Sequence, residues 1–189
     1  MRDALAAAGF DIVAPFDGGR VDPDRRAGVL IGNTRALWPT FVAAKPPGPD
    51  PLDRYVESAI DPLVPEGGRV FYAHRQYNGA FLGFQQLAVA AGLGSLSETN
   101  LVIHPEYGPW FALRAAIVVP GDPPAVAPCP PVCRCGAPCR EALARAIGTI
   151  DWRAWLAVRD ACPVGREHRY TDDQLAFHYL QGLLRTPAG

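Results

Sequence analysis

Residues 101–121 read Leu-Val-Ile-His-Pro-Glu-Tyr-Gly-Pro-Trp-Phe-Ala-Leu-Arg-Ala-Ala-Ile-Val-Val-Pro-Gly. A short apolar run closes at His104-Pro105, a Gly108-Pro109 turn follows, and a second apolar run spans 110–119. Both runs fit strands bounded by turn residues. Strict alternation would place Phe111, Leu113, Ala115, Ile117 and Val119 on one face of the second strand. Trp110, Ala112, Arg114, Ala116 and Val118 would form the other. A strand apolar on both faces belongs inside a sheet, where Arg114 needs a partner, because an unpaired buried charge costs several kcal/mol. Two partners remain open: an internal Asp or Glu, or an anion held in the space the alanines leave.

Working outward, residues 2–8 read as a short helix capped by Gly9, and 10–13 as a strand. A second strand covers 27–31. Thr34 starts a helix to Ala44 with a kink at Pro39. The stiff connector 45–51 ends with Asp50 capping a helix whose first residue is Pro51. That helix runs to about Pro65, followed by a strand at 69–73 and a buried helix at 79–91 closed by Gly92. A Pro-rich loop spans 120–138, and helices follow at 137–147, 151–160 and 171–184. Strands and helices mix without a βαβ rhythm, so the fold class is α+β. Gly92-Leu93-Gly94 follows a helix rather than a strand and is no dinucleotide fingerprint.

The 189 residues predict a single domain, 1–189, with a Pro/Cys-rich loop at 120–139. With 49% hydrophobic and 20% charged residues the chain can bury a core, which excludes wholesale disorder. A formal charge of −1 argues against nucleic acid or an anionic membrane as partner. No apolar stretch reaches the ~18 residues of a membrane span. The expectation is a soluble, cytoplasmic protein.

The helix 151–160 carries Trp152, Trp155 and Arg159 on one face. Arg159 can stack on Trp155, either capping the core or walling a flat, partly anionic ligand. Arg185, near the end of the last helix, suits the helix dipole. His104 reads as a structural hydrogen-bonder. No catalytic triad, zinc-protease motif or phosphate loop is present, and no catalytic residue is assigned. Cys129, Cys133, Cys135 and Cys139 are spaced C-x3-C-x-C-x3-C, half-fitting zinc and iron–sulfur patterns and matching neither. No metal is expected, with these four as the only candidate ligands. Otherwise they are loop thiols that can pair when oxidised.

Residues 101–121 resemble the cobalamin-processing family of the methylmalonic aciduria and homocystinuria type C protein. So do Trp152-Arg-Ala-Trp155…Arg159-Asp160-Ala161 and Arg169-Tyr170-Thr-Asp-Asp-Gln174…Ala176-Phe177, with a weaker echo at Gly9-Phe10-Asp11 to Pro15-Phe16. Residues 90–108 are also similar to epoxyqueuosine reductase, a corrinoid and iron–sulfur enzyme. The resemblance implies a nitroreductase-like fold, with a central, mostly antiparallel sheet flanked by helices, that holds cobalamin (vitamin B12) base-off. It implies an oxidoreductase that removes the upper axial ligand, by decyanation with reduced flavin (FMN or FAD) or by dealkylation with glutathione. Arg114, Arg159 and Arg185 would then bind glutathione. Gln85, His104, Tyr107, Gly108, Trp110 and Trp155 would line the cobalamin or flavin cavity. A homodimer and a cobalamin-dependent enzyme or flavin reductase are the implied partners. A family histidine falls at Gln76, so no role transfers there. An iron–sulfur cluster is not expected, because the reductases need two complete cysteine motifs. A non-catalytic cobalamin chaperone and an iron–sulfur/corrinoid reductase are the alternatives.

Overall fold

The computed structural model describes residues 1–133 and 135–184. The N-terminal half contributes helix α1 (Arg2–Ala7), strands β1 (Ile12–Asp17) and β2 (Ala27–Asn33), helices α2 (Leu37–Ala44) and α3 (Pro51–Ile60), and strand β3 (Arg69–Tyr72). A two-residue hairpin, β4 (Gln76–Tyr77) and β5 (Ala80–Phe81), leads into α4 (Phe84–Ala90). Then come the short pair β6 (Ser95–Leu96) and β7 (Val102–Ile103), the long strand β8 (Ala112–Val119), and helices α5 (Ala137–Ala146), α6 (Trp152–Asp160) and α7 (Asp172–Leu184). The central sheet has the order β1-β2-β8-β3 and is antiparallel throughout, so the α+β class expected from the sequence is the one observed.

Burial drives both faces of this sheet. Phe10, Leu37, Phe41, Val56 and Ile60 of the α1–α3 side pack on Ile31, Ala115 and Ile117. On the opposite face Phe84, Leu87 and Ala91 meet Phe16, Leu30, Ala116 and Val118. Strand β1 runs further than the four residues expected and includes Pro15. It is an edge strand, where a missing N–H costs no ladder bond.

Several local expectations differ from what forms. Helix α2 starts at Leu37, so Pro39 falls in its first turn, where no N–H is needed and no kink is required. Thr34 instead organises the approach: its N–H and hydroxyl both donate to Asp11, and its Oγ1 accepts from the Ala36 N–H. Asp50 precedes Pro51 at the start of α3, but in left-handed backbone (φ 51°) and without a side-chain cap. The helix expected from Gly79 begins only at Phe84, because Asn78 and Gly79 (φ 53° and 79°) turn the β4–β5 hairpin.

The alternation expected along β8 breaks at Arg114. Ile31 of β2 faces Ala115 and Gly32 faces Leu113, so Arg114 is the extra residue of a β-bulge. Leu113 therefore joins Ala116 and Val118 on the α4 side, rather than Ala115 and Ile117.

Candidate functional site

The bulge helps shape a cavity of 330 Å3 where β8, α4, β7, α6 and α7 converge. Leu101, Val102, Phe111 and Leu113 give it apolar walls, while Gln85, Arg159 and Tyr179 add polar groups. Gln85 is held by its amide donating to the Asn100 carbonyl at 2.8 Å. A second hollow of 190 Å3, bordered by Gln86, Val89 and Leu96, adjoins it across Gln85. Tyr179 is fixed by stacking on Trp152, with centroids 5.4 Å apart.

Arg159 projects from the last turn of α6 onto aromatic rings. Its guanidinium lies 4.6 Å from the Trp110 centroid and 5.1 Å from that of Tyr170, and it donates to the Pro109 carbonyl. The stack expected on Trp155 is replaced by this one, because the Gly108-Pro109-Trp110 turn brings Trp110 beneath α6. Arg114 leaves the bulge and donates through Nε to Asn33 Oδ1 at 2.7 Å. Asn33 is itself fully buried, and its amide donates to the Thr34 carbonyl. Both hydrogen bonds of the two arginines therefore go to neutral oxygens. Burial lowers the Arg114 pKa; Tyr170 and Asp53 oppose that effect, and the neighbouring charge of Arg159 adds to it.

Around these cations lie polar atoms that are buried and have no hydrogen-bond partner. They are Trp110 Nε1, Arg159 Nε, Tyr170 OH, both amide atoms of Gln174, and His178 Nε2. Gln174 is 0% exposed, Trp110 1% and Tyr170 3%. Gln174 and His178 stand one turn apart on α7, so one helix face supplies both. Burial, reinforced by Arg114 and Arg159, pushes the His178 pKa down to about 3, and its imidazole is neutral at physiological pH. Burial raises the Tyr170 hydroxyl, with the two arginines opposing it. Orphaned buried polar atoms cost ~1–3 kcal/mol each, and this set gathers beside two cations, with Arg159 alone among its residues bordering the cavity. Sequence reasoning missed Asn33, Tyr170, Gln174 and His178 as site residues. Two signals were available: Tyr170 and Gln174 fall in one of the stretches that carry the family resemblance, and Gln174 and His178 share a helix face, which a solvated helix shows equally well.

The other sequence-derived candidates are distributed differently. His104 belongs to a turn: its Nδ1 accepts from the Glu106 and Tyr107 amides at 3.1 and 3.2 Å, and burial lowers its pKa. Tyr107 stacks on that ring with centroids 4.5 Å apart. Gly108 pairs with His104 and packs against the Val164 backbone, where a Cβ would come within 1.9 Å of the Val164 oxygen. These three build the floor of the turn that carries Trp110, rather than the cavity wall. Trp155 is 42% exposed, donates to the Thr149 carbonyl, and stands outside the cavity lining. Arg185 lies outside the described residues. Cys129 stands apart on the loop. Cys133, Cys135, Cys139 and the distant Cys162 gather near one another, yet among the described residues no three His, Cys, Asp or Glu side chains are placed to hold a metal ion. Nor, among those residues, is any helix long and apolar enough to cross a membrane.

No known family profile matches the sequence, and no curated protein does. Among solved structures the fold is similar to a C. elegans B12-trafficking protein CblC, described as a homologue of human MMACHC. The TM-score is 0.66 at 15% identity, covering 94% of this chain and 88% of that one. Epoxyqueuosine reductase from Bacillus subtilis is similar at TM-score 0.53 and 14% identity, over 89% of this chain and 66% of that chain. A selenomethionine-labelled epoxyqueuosine reductase gives TM-score 0.52 at 13% identity, over 90% and 66%. The two resemblances noted in the sequence are thus also resemblances of fold.

Proposed function

We propose that the chain binds a corrinoid at the cavity between α4, α6 and β8 and removes its upper axial ligand, with a thiol tripeptide held at the arginines. The observation that carries this reading is the set of unpartnered buried donors around Arg114 and Arg159, in a fold shared with a B12-trafficking protein. The donor set fits a carboxylate-bearing thiol: two guanidiniums, an indole N–H, a phenol and an amide can each donate to a carboxylate oxygen. A cavity of 330 Å3 takes only one edge of a corrin ring, and the adjoining hollow across Gln85 extends the surface available to it.

The chemistry then asks little of the protein beyond orientation. The thiolate attacks the carbon of an upper alkyl ligand, a carbon–sulfur bond forms, and the electron pair of the cobalt–carbon bond stays on cobalt. Arg114 and Arg159 would fix the tripeptide's carboxylates and raise the effective concentration of its sulfur. Apolar walls at Leu101, Val102 and Leu113 would exclude water from the reacting face. A reduced flavin is the alternative electron donor for a cyanide ligand; the anion-suited donor set favours the thiol route, and no step is assigned through flavin. Carriage of the corrinoid without turnover is the second reading, and the trafficking role of the C. elegans protein favours keeping it.

The experiment is a visible-spectrum titration of purified protein with hydroxocobalamin and cyanocobalamin, then turnover of an alkylcobalamin with and without glutathione. The expected result is a shift toward the base-off spectrum and glutathione-dependent turnover. Loss of one charge-assisted bond, ~1.5–3 kcal/mol, predicts a roughly ten- to hundred-fold loss of thiol-dependent turnover in Arg114→Gln. An unchanged spectrum at saturating protein would refute corrinoid binding, and binding without turnover would leave the carrier.

A further inference from the structure

The loop between β8 and α5 brings two sulfurs together in a way the corrinoid reading does not use. Cys133 Sγ and Cys135 Sγ stand 2.6 Å apart, against about 2.05 Å in a formed disulfide. Both are free and partly exposed. The loop is anchored on each side of the pair. The Val132 N–H donates to Ser95 Oγ at 3.0 Å, and Arg140 donates to the Cys135 carbonyl at 3.3 Å while pairing with Glu98. The other three cysteines are placed differently. Cys129 donates to the Pro130 carbonyl, Cys139 donates to the Ala161 carbonyl, and Cys139 and Cys162 are 4% and 6% exposed.

We propose that Cys133 and Cys135 form a redox-active dithiol that exchanges with low-molecular-weight disulfides. A Cys133 thiolate attacks the external disulfide, giving a mixed disulfide and releasing one small thiol. The Cys135 sulfur then attacks Cys133 Sγ, closes the Cys133–Cys135 bond and expels the second small thiol. The protein dithiol is oxidised by two electrons, the external disulfide is reduced to two thiols, and the two protein protons leave with them. Contact between the two sulfurs makes the second step intramolecular, so the mixed disulfide does not accumulate. Cys139 and Cys162 are buried away from an external disulfide, whereas Cys133 and Cys135 are partly exposed to one. The placement of the sulfurs favours this chemistry over metal ligation, since no three ligating side chains among the described residues are arranged around a common point. The inference stands independently of corrinoid binding.

The test equilibrates the full chain, reduced and desalted without oxygen, with graded ratios of oxidised to reduced glutathione. Remaining thiols are alkylated and counted by intact mass. The reduced chain carries five alkyl groups, matching its five cysteines. Oxidation should remove two of the five, with fragment spectra joining Cys133 to Cys135. Cys129→Ser and Cys139→Ser should retain the loss of two, and Cys135→Ser should stop at a stable glutathione adduct on Cys133. Five alkylated thiols at every ratio would overturn the proposal. So would a disulfide using Cys129, Cys139 or Cys162, or stoichiometric zinc or iron that is released when the thiols are modified.

Discussion

Replacing Gln174 by methionine separates a side chain that serves a ligand from one that serves the fold. Gln174 is fully buried, and neither its amide oxygen nor its amide nitrogen has a partner. Burying such a group without a hydrogen-bond partner costs ~1–3 kcal/mol. Methionine has nearly the same length and volume, fills the same space, and carries no group that needs a partner. Gln174→Met should therefore stabilise the ligand-free protein by about 1 kcal/mol or more, raising the midpoint of thermal unfolding by roughly 2–4 °C per kcal/mol. The same change should weaken ligand binding, by about tenfold for each 1.4 kcal/mol of hydrogen bonding lost. Denaturant and thermal unfolding of both proteins, with and without hydroxocobalamin and glutathione, measure the two effects. Leu175→Ala, one residue along and 2% exposed, is the control and should cost ~2–5 kcal/mol. A Gln174→Met protein destabilised by a kcal/mol or more, with ligand binding intact, would show that the amide is satisfied in the ligand-free fold. Gln174 would then serve the fold and not a ligand.

His178 gives a pH signature. Its pKa is about 3 when folded, below its unfolded value of ~6.5, so the unfolded chain binds the extra proton between those limits. Stability should be full above pH 6.5 and fall by at most about 1.4 kcal/mol per unit as the pH drops toward 3; His178→Gln should flatten the pH dependence of the denaturant midpoint in that window. Asn33→Ala removes the bonds to Arg114 and to the Thr34 carbonyl, and should cost ~1–3 kcal/mol in unfolding measurements and weaken glutathione-dependent turnover with it. Gly108→Ala meets the Val164 oxygen from left-handed backbone (φ 56°) and should destabilise by more than ~2 kcal/mol, read as a lowered melting midpoint. Trp155→Ala should change corrinoid titration curves by less than twofold, since the ring is half-exposed and outside the cavity lining.

Local physics made much of the fold legible before any coordinates. The apolar run expected at 27–31, the Pro51 helix start, the Gly108-Pro109 turn, and the helices expected at 137–147 and 151–160 announce themselves through periodicity, caps and turn residues, and form within one or two residues of those bounds. The hairpin at Asn78–Gly79 was missed, because the apolar residues after it read as one helix from Gly79. The site followed a different logic. The bulge at Arg114 depends on where β2 sits beside β8, and a one-residue slip moves Leu113 to the other face, which no periodicity within β8 can reveal. Arg159 has Trp155 four residues away on its own helix, yet it rests on Trp110 and Tyr170, because a turn 50 residues earlier in the chain packs under α6. Gln174 and His178 carry the composition of a solvated helix face, yet Gln174 is fully buried, and His178 lies against Tyr170 and feels the charges of Arg114 and Arg159. The sequence by itself determined where the chain turns, pairs and buries apolar surface, since those depend on neighbours within a few residues. Tertiary packing decided which polar groups are cut off from water and from one another, because that depends on segments remote in the chain.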